Sequence, residues 1–312
     1  MHAVSPKLVP WLADLNQRNA ALIANGYLPT AISAREGLAG MTFLQVQPGP
    51  PLAWVNDELI PGPGYTVPVR IYHPAPTEER AVIVFLHGGG HMAGGVSVYD
   101  PVCRRLAAAT GQVVVSAEYR LAPENPYPAG LNDGHTVARG VWAALERRQL
   151  PYRHELTLIG DSGGGALCAS ISTLAQFDPA LRISNQVLIY PSLDYTLSLP
   201  SIQENAEGYL LHSSRVSWYF DNYFQHSENR RDVSPLHAPF IERLPRTLIV
   251  SAGFDPLRDE AIAYQARLQQ AGIVCERLHF DDMVHAFLNL ENLVADECAA
   301  VYRRIAGFLQ GD

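Results

Sequence analysis

The chain has 312 residues, 47% of them apolar and 17% charged, with a net charge of −8; this supplies a large core and excludes a disordered chain. It carries no Lys/Arg run or basic stripe, which excludes the footprint of a nucleic-acid binder and any attraction to anionic lipid. No stretch reaches the roughly 18–20 apolar residues that span a bilayer, and residues 1–10 lack the apolar run of a signal peptide, so a cytoplasmic protein is expected.

In chain order, residues 1–50 hold a helix-like stretch before any strand. Residues 66–73 alternate in polarity and suit an antiparallel start of a sheet. Short Val/Ile-rich runs then recur at 81–86 (AVIVFL), 112–117 (QVVVSA), 156–159 (LTLI), 186–190 (QVLIY), 247–251 (TLIVS) and 274–280. Helix-length segments at 99–110, 130–149, 165–176, 257–271 and 291–310 separate or follow them. Strands that are apolar on both faces and alternate with helices predict a doubly wound, mostly parallel α/β sheet. Residues 195–238 break the rhythm with Tyr195, Tyr209, Trp218, Tyr219, Phe220, Tyr223 and Phe224 and no strand pattern. In open α/β sheets ligands bind beyond the carboxyl ends of the strands. Residues 1–50 and 195–238 are therefore expected to form a two-part helical cap there, the second part inserted into a catalytic domain over 51–312; ordinary helix core is the alternative for the aromatic stretch. Cys103, Cys168, Cys275 and Cys298 are scattered, form no CxxC pair and read as free thiols in a reducing compartment.

Gly160-Asp161-Ser162-Gly163-Gly164 fits G-x-S-x-G between a strand and a helix. That strand–turn–helix context marks a nucleophilic serine on a strained turn, where flanking side chains would collide and the helix N-terminus favours developing negative charge. A phosphate-binding loop would end in Gly-Lys-Ser/Thr, which is absent. His87-Gly88-Gly89-Gly90 directly follows the strand at 81–86. Glycines there free backbone N–H groups to stabilise the oxyanion of acyl transfer. The candidate oxyanion-hole set is Gly88, Gly89, Gly90 and Gly163, with Gly88 shaping the turn and the other three donating. His87 reads as a structural imidazole bonded to its own loop.

The remaining partners of such a serine follow in the order acid, then histidine, each just after a strand. Asp255 follows the run at 247–251 and His285 follows the run at 274–280. Of the other histidines, His2, His73, His87, His91, His135 and His154 precede the serine, His212, His226 and His237 lie in or near the aromatic stretch, and His279 lies within a predicted strand. Asp259 is the rival acid, a turn into the next helix. The candidate catalytic set is Ser162, Asp255 and His285.

These motifs, together with Glu118-Tyr119-Arg120-Leu121-Ala122-Pro123-Glu124, Tyr127-Pro128-Ala129 and Asp255-Pro256-Leu257-Arg258-Asp259-Glu260, resemble the bacterial hormone-sensitive-lipase-like carboxylesterases of the α/β-hydrolases, from about residue 60 to the C-terminus. The resemblance implies an eight-stranded, mostly parallel sheet, a helical cap, a small ester substrate of short or medium acyl length, and no cofactor or metal. It also implies a homodimer paired near the last strand. Three positions depart from the family pattern. Gly163 stands where alanine is usual, His91 where a bulkier aromatic is common, and Ala286 where glycine is usual. His91, Tyr195 and Trp218 are the candidate pocket-lining side chains. An amidase or lactonase using the same three residues, or a non-catalytic small-molecule binder on this fold, are the other readings that fold and motif leave open.

Overall fold

The computed structural model describes residues 3–311; Met1, His2 and Asp312, at the ends of the expected segments 1–50 and 51–312, lie outside the described residues. The strands are β1 (Trp54–Pro61), β2 (Thr66–His73), β3 (Arg80–Leu86), β4 (Val113–Ala117), β5 (Tyr152–Asp161), β6 (Asn185–Ile189), β7 (Arg246–Phe254) and β8 (Cys275–Val284). Among the described residues they form one eight-stranded sheet in the order β1-β2-β4-β3-β5-β6-β7-β8. Only the β1–β2 and β2–β4 pairs are antiparallel.

Helices cover both faces of the sheet, which is why the strand sequences are apolar almost throughout. On one face Val82, Val84 and Leu86 of β3 share a single buried cluster with Val137, Val141 and Leu145 of α4 (Ala129–Arg147), Leu167 and Ile171 of α5 (Gly163–Ala175), and Tyr264 and Leu268 of α9 (Arg258–Gln270). The alternate residues Ile83 and Phe85 pack with Val102 and Leu106 of α3 (Asp100–Thr110) and Val301 and Ile305 of α10 (Ala295–Gln310). Each such side chain, fully buried, contributes about 1.5–3 kcal/mol.

The pattern at 54–61 was not read as a strand. Its Asn56, Asp57 and Glu58 disfavour a strand by propensity, and those at 56 and 57 are exposed. β1 is an edge strand, and full-length pairing with β2, Trp54 opposite His73 through Pro61 opposite Thr66, sets it in place. β5 and β8 also run beyond their apolar centres, β5 beginning at Tyr152 and β8 ending at Val284. Cys103, Cys168 and Cys298 are buried, Cys275 is half-buried, and all four are free thiols.

The two segments outside the rhythm are helical. The first holds α1 (Val9–Ala24) and α2 (Ala31–Gln45); the second holds the one-turn helices α6 (Ser201–Glu204) and α8 (Arg230–Val233) around α7 (Ser213–Tyr223). Specific bonds tie both to the loops at the carboxyl ends of the strands. Arg35 donates to the carbonyls of Met92 (2.9 Å) and Ala122 (3.0 Å) and pairs with Glu124. Asn205 Nδ2 donates to the Asp255 carbonyl (3.0 Å). Asn16 Nδ2 reaches the Gly208 carbonyl (2.8 Å), joining one segment to the other. No helix among the described residues is long and apolar enough to cross a membrane.

Candidate active site

Ser162 sits between the end of β5 and the first residue of α5, with φ 50° and ψ −120°. A non-glycine residue held there carries strain of order 1–3 kcal/mol. Close packing enforces it: a Cβ at Gly160 would strike the Gly164 carbonyl, and one at Gly164 would strike the Leu86 carbonyl. The Ser162 N–H donates to Ile189 of β6 (2.8 Å), fixing the turn from the neighbouring strand.

Asp255 follows the last residue of β7 and His285 the last of β8, so parallel strands deliver both side chains to the same end of the sheet. His285 Nε2 lies 2.9 Å from Ser162 Oγ, and His285 Nδ1 lies 2.8 Å from Asp255 Oδ2. Both Asp255 (1% exposed) and His285 (5%) are buried. The carboxylate can only accept, so it holds the proton on Nδ1 and leaves Nε2 free to accept from the serine hydroxyl. Asp255 Oδ1 is occupied by the Leu257 N–H (2.8 Å), which fixes the carboxylate in turn. The rival acid Asp259 is engaged elsewhere, accepting from Ser201 N–H (3.0 Å) and Arg258 (2.8 Å).

After β3, the loop from His87 to His91 is braced at several points. His87 Nδ1 lies 2.8 Å from the Gly88 carbonyl, and Tyr119 stacks on the His87 ring (4.3 Å between centroids) while donating to the His87 carbonyl (2.6 Å). Burial pushes the His87 imidazole down to about 4, so it is neutral. The Tyr-Arg-Leu-Ala-Pro-Glu segment thus braces this loop; Arg120 is clamped bidentately by Asp133 (2.9 and 2.8 Å).

The structure separates the four candidate oxyanion glycines. Gly88, expected to shape the turn rather than donate, has its N–H spent on Asp161 Oδ1 at 2.7 Å. The N–H groups of Gly89, Gly90 and Gly163 have no hydrogen-bond partner among the described residues. They converge: a Cβ on Gly163 would stand 3.4 Å from Gly90 N and 3.1 Å from His91 N. Asp161, the residue sequence reasoning passed over, accepts from Gly88 N–H with one oxygen and from Tyr99 Oη (3.0 Å) with the other. Burial drives its carboxyl up to about 6, against the pull of these two hydrogen bonds. Its only signal in the sequence was its place as the variable residue before the serine.

A cavity of about 490 Å³ opens onto Ser162, His285, Gly89, Gly90 and Gly163, walled by α1, α2 and α7. His91 lines it. The ring is buried, lies flat on Tyr223 (3.9 Å) and is pushed down to about 3 by burial, so it is a neutral wall. Two other pocket expectations are corrected. Tyr195 stands one layer back, packed edge-on against Phe220 and Phe224. Trp218 lies on the flank of α7 away from the cavity, because the helical period turns Arg215, Val216, Tyr219 and Phe220 inward. Tyr219 takes the place expected of Trp218: its ring lies against Gly90, where any Cβ would collide. Among the described residues no group of three His, Cys, Asp or Glu side chains is placed to hold a metal ion.

The sequence model of the α/β-hydrolase fold matches residues 83–289. The chain is 34% identical over 288 residues to the esterase LipI of Mycobacterium tuberculosis, covering 88% of this chain and 89% of LipI. It is 31% identical to the ethyl acetate hydrolase of Pseudomonas putida, over 75% of this chain and 76% of that enzyme. Among solved structures, the hyperthermophilic esterase of the archaeon Pyrobaculum calidifontis superposes with a TM-score of 0.86 at 30% identity, over 98% and 97% of the two chains.

Proposed function

The chain belongs to the α/β-hydrolase family, in its hormone-sensitive-lipase-like carboxylesterase branch, and we propose that it hydrolyses short- to medium-chain acyl esters through an acyl-enzyme formed on Ser162. One observation carries this: the Ser162–His285–Asp255 chain, at 2.9 and 2.8 Å, faces the unpartnered N–H groups of Gly89, Gly90 and Gly163 across one cavity.

In the cycle, His285 Nε2 takes the Ser162 proton as Oγ attacks the ester carbonyl. The carbonyl oxygen becomes an oxyanion held by Gly89, Gly90 and Gly163. His285 passes its proton to the alkoxide, which leaves as the alcohol. Water then repeats the attack, with His285 as base, and releases the carboxylic acid. Asp255 stabilises the imidazolium in both halves, and no cofactor enters. The helices α1, α2 and α6 to α8 act as a two-part cap that excludes water and limits acyl length. The reading places the enzyme in the cytoplasm and as a homodimer paired along the exposed edge of β8.

The test is kcat/KM on p-nitrophenyl esters from C2 to C16, with one anilide and one lactone. We expect an optimum at or below C8. A rate that climbs to C16, or an anilide or lactone cut faster than every ester, overturns the assignment.

A further inference from the structure

Two arginines line the cavity, one from each part of the cap: Arg18 of α1 and Arg215 of α7. Among the described residues the only carboxylate on that wall is Asp161, already spent on Gly88 and Tyr99. Arg18 is paired with Asp14, one turn away at 2.6 Å. Among the described residues no carboxylate lies within ion-pair distance of Arg215; its guanidinium lies 5.3 Å from the Trp218 ring. A chain with 31 acidic and 23 basic side chains thus presents a locally cationic mouth to its own active site.

The position of Arg215 gives this a chemical meaning. It lies four residues before Tyr219, whose ring covers Gly90 of the oxyanion loop. Residues so spaced on a helix are neighbours, with Cβ atoms about 6 Å apart. Arg215 is thus one helical turn from the residue that covers the oxyanion loop, on a cavity wall that also holds Leu22, Leu38, Leu44 and Val216. We propose that this cavity selects esters that carry an anionic group, a carboxylate above all, a few methylenes from the scissile bond, with Arg215 as the principal anion contact and Arg18 as the secondary one. Arginine is suited to the task, since its planar fork meets a carboxylate bidentately. This inference deepens the esterase reading and rests on it.

The anion can sit on either side of the ester, so two matched pairs of probes decide. Monomethyl glutarate against methyl pentanoate places it on the acyl side; 4-acetoxybutyrate against butyl acetate places it on the alcohol side. We expect the anionic member of one pair to have the higher kcat/KM. Arg215→Gln should lower that anionic-to-neutral ratio about tenfold, the worth of one charge-assisted contact. Arg215→Lys, which keeps the charge but not the fork, should fall between the parent and Arg215→Gln, Arg18→Gln should lower the ratio less than Arg215→Gln, and 0.5 M salt should shrink it. Neutral esters preferred in both pairs, or a ratio that Arg215→Gln leaves unmoved, overturns the proposal. Calorimetric titration of the Ser162→Ala protein with monomethyl glutarate and methyl pentanoate separates this from the esterase reading: equal binding of the two counts against anion selection, whereas an anionic preference in binding without hydrolysis by the parent enzyme counts against the esterase reading alone.

Discussion

Replacing Asp161 by alanine should separate catalysis from stability. The carboxylate accepts from Gly88 N–H at 2.7 Å and Tyr99 Oη at 3.0 Å, and both donors are buried. Left unsatisfied, each costs about 1–3 kcal/mol. Against that, the rise of the Asp161 carboxyl from its ordinary 3.8 to about 6 means that the ionised group destabilises the fold by about 3 kcal/mol at neutral pH, a burden the alanine escapes. The two terms nearly cancel, so the melting temperature should shift by only a few degrees. Catalysis has no such compensation. Gly88 is the anchor that sets the register of Gly89 and Gly90, and loss of one oxyanion donor costs about 3–4 kcal/mol of transition-state stabilisation. We expect kcat on p-nitrophenyl acetate to fall 10- to 1,000-fold with little change in KM. Asp161→Asn keeps an acceptor for Gly88 and should recover most of the rate. The pH sign follows from the raised value: the Asp161 contribution to stability is present below about 4 and lost as pH rises through about 6. The Asn protein should therefore gain on the parent as pH rises from about 4 to about 6 in thermal melts and hold that gain above. An Asp161→Ala protein with kcat within twofold of the parent at an unchanged melting temperature would refute the anchoring role.

Ser162→Ala should abolish ester hydrolysis, by about 10⁴- to 10⁶-fold in kcat, with the fold intact by circular dichroism; retention of more than a few per cent in pure protein sinks the nucleophile assignment. His87 and His91 are both held neutral by burial, at about 4 and about 3, whereas the unfolded chain protonates them from about 6.5 downward. Their contribution to stability is thus whole above about 6.5 and shrinks as pH falls, by about 2 kcal/mol per histidine between pH 7.5 and pH 5. His91→Phe should remove its share of that acid loss in urea titrations at the two pH values; an unchanged difference between them contradicts the burial argument. Light scattering after size exclusion should give twice the 34.2 kDa chain mass, and a monomer at tens of micromolar excludes pairing through β8.

The parallel strands were legible because each is apolar on both faces, and the meeting of Ser162, Asp255 and His285 because each follows such a strand. β1 was not, since its pattern of Asn56, Asp57 and Glu58 carries no core signal and its pairing depends on β2 rather than on its own sequence. The role of Asp161 was hidden for a related reason. Its partners, Gly88 and Tyr99, lie more than sixty residues away, and nothing local to the Gly-Asp-Ser motif indicates a carboxylate turned back toward another loop. The pocket wall was the least legible part. An aromatic count marks residues 195–238 as packed but cannot say which ring faces inward. One helical step separates Tyr219, on the cavity, from Trp218, which supports Arg215 instead.

Two of the departures from the family pattern, independent when read along the chain, become one feature in space. An alanine at position 163 would bring its Cβ to 3.1 Å from His91 N, tighter than ordinary contact, and to 3.4 Å from His91 Cε1, at the edge of it. His91 cannot easily retreat. Its backbone is fixed at φ 63°, its carbonyl accepts from Ala122 N–H (2.9 Å), and its ring is clamped flat on Tyr223. Gly163 is therefore the residue that fits this placement of His91. The side chain of residue 163 is dispensable to the proposed mechanism, which uses only its N–H, and glycine keeps that. The substitution after the nucleophile is thus best explained by the loop opposite, and restoring alanine should disturb the oxyanion hole through His91 rather than through Ser162.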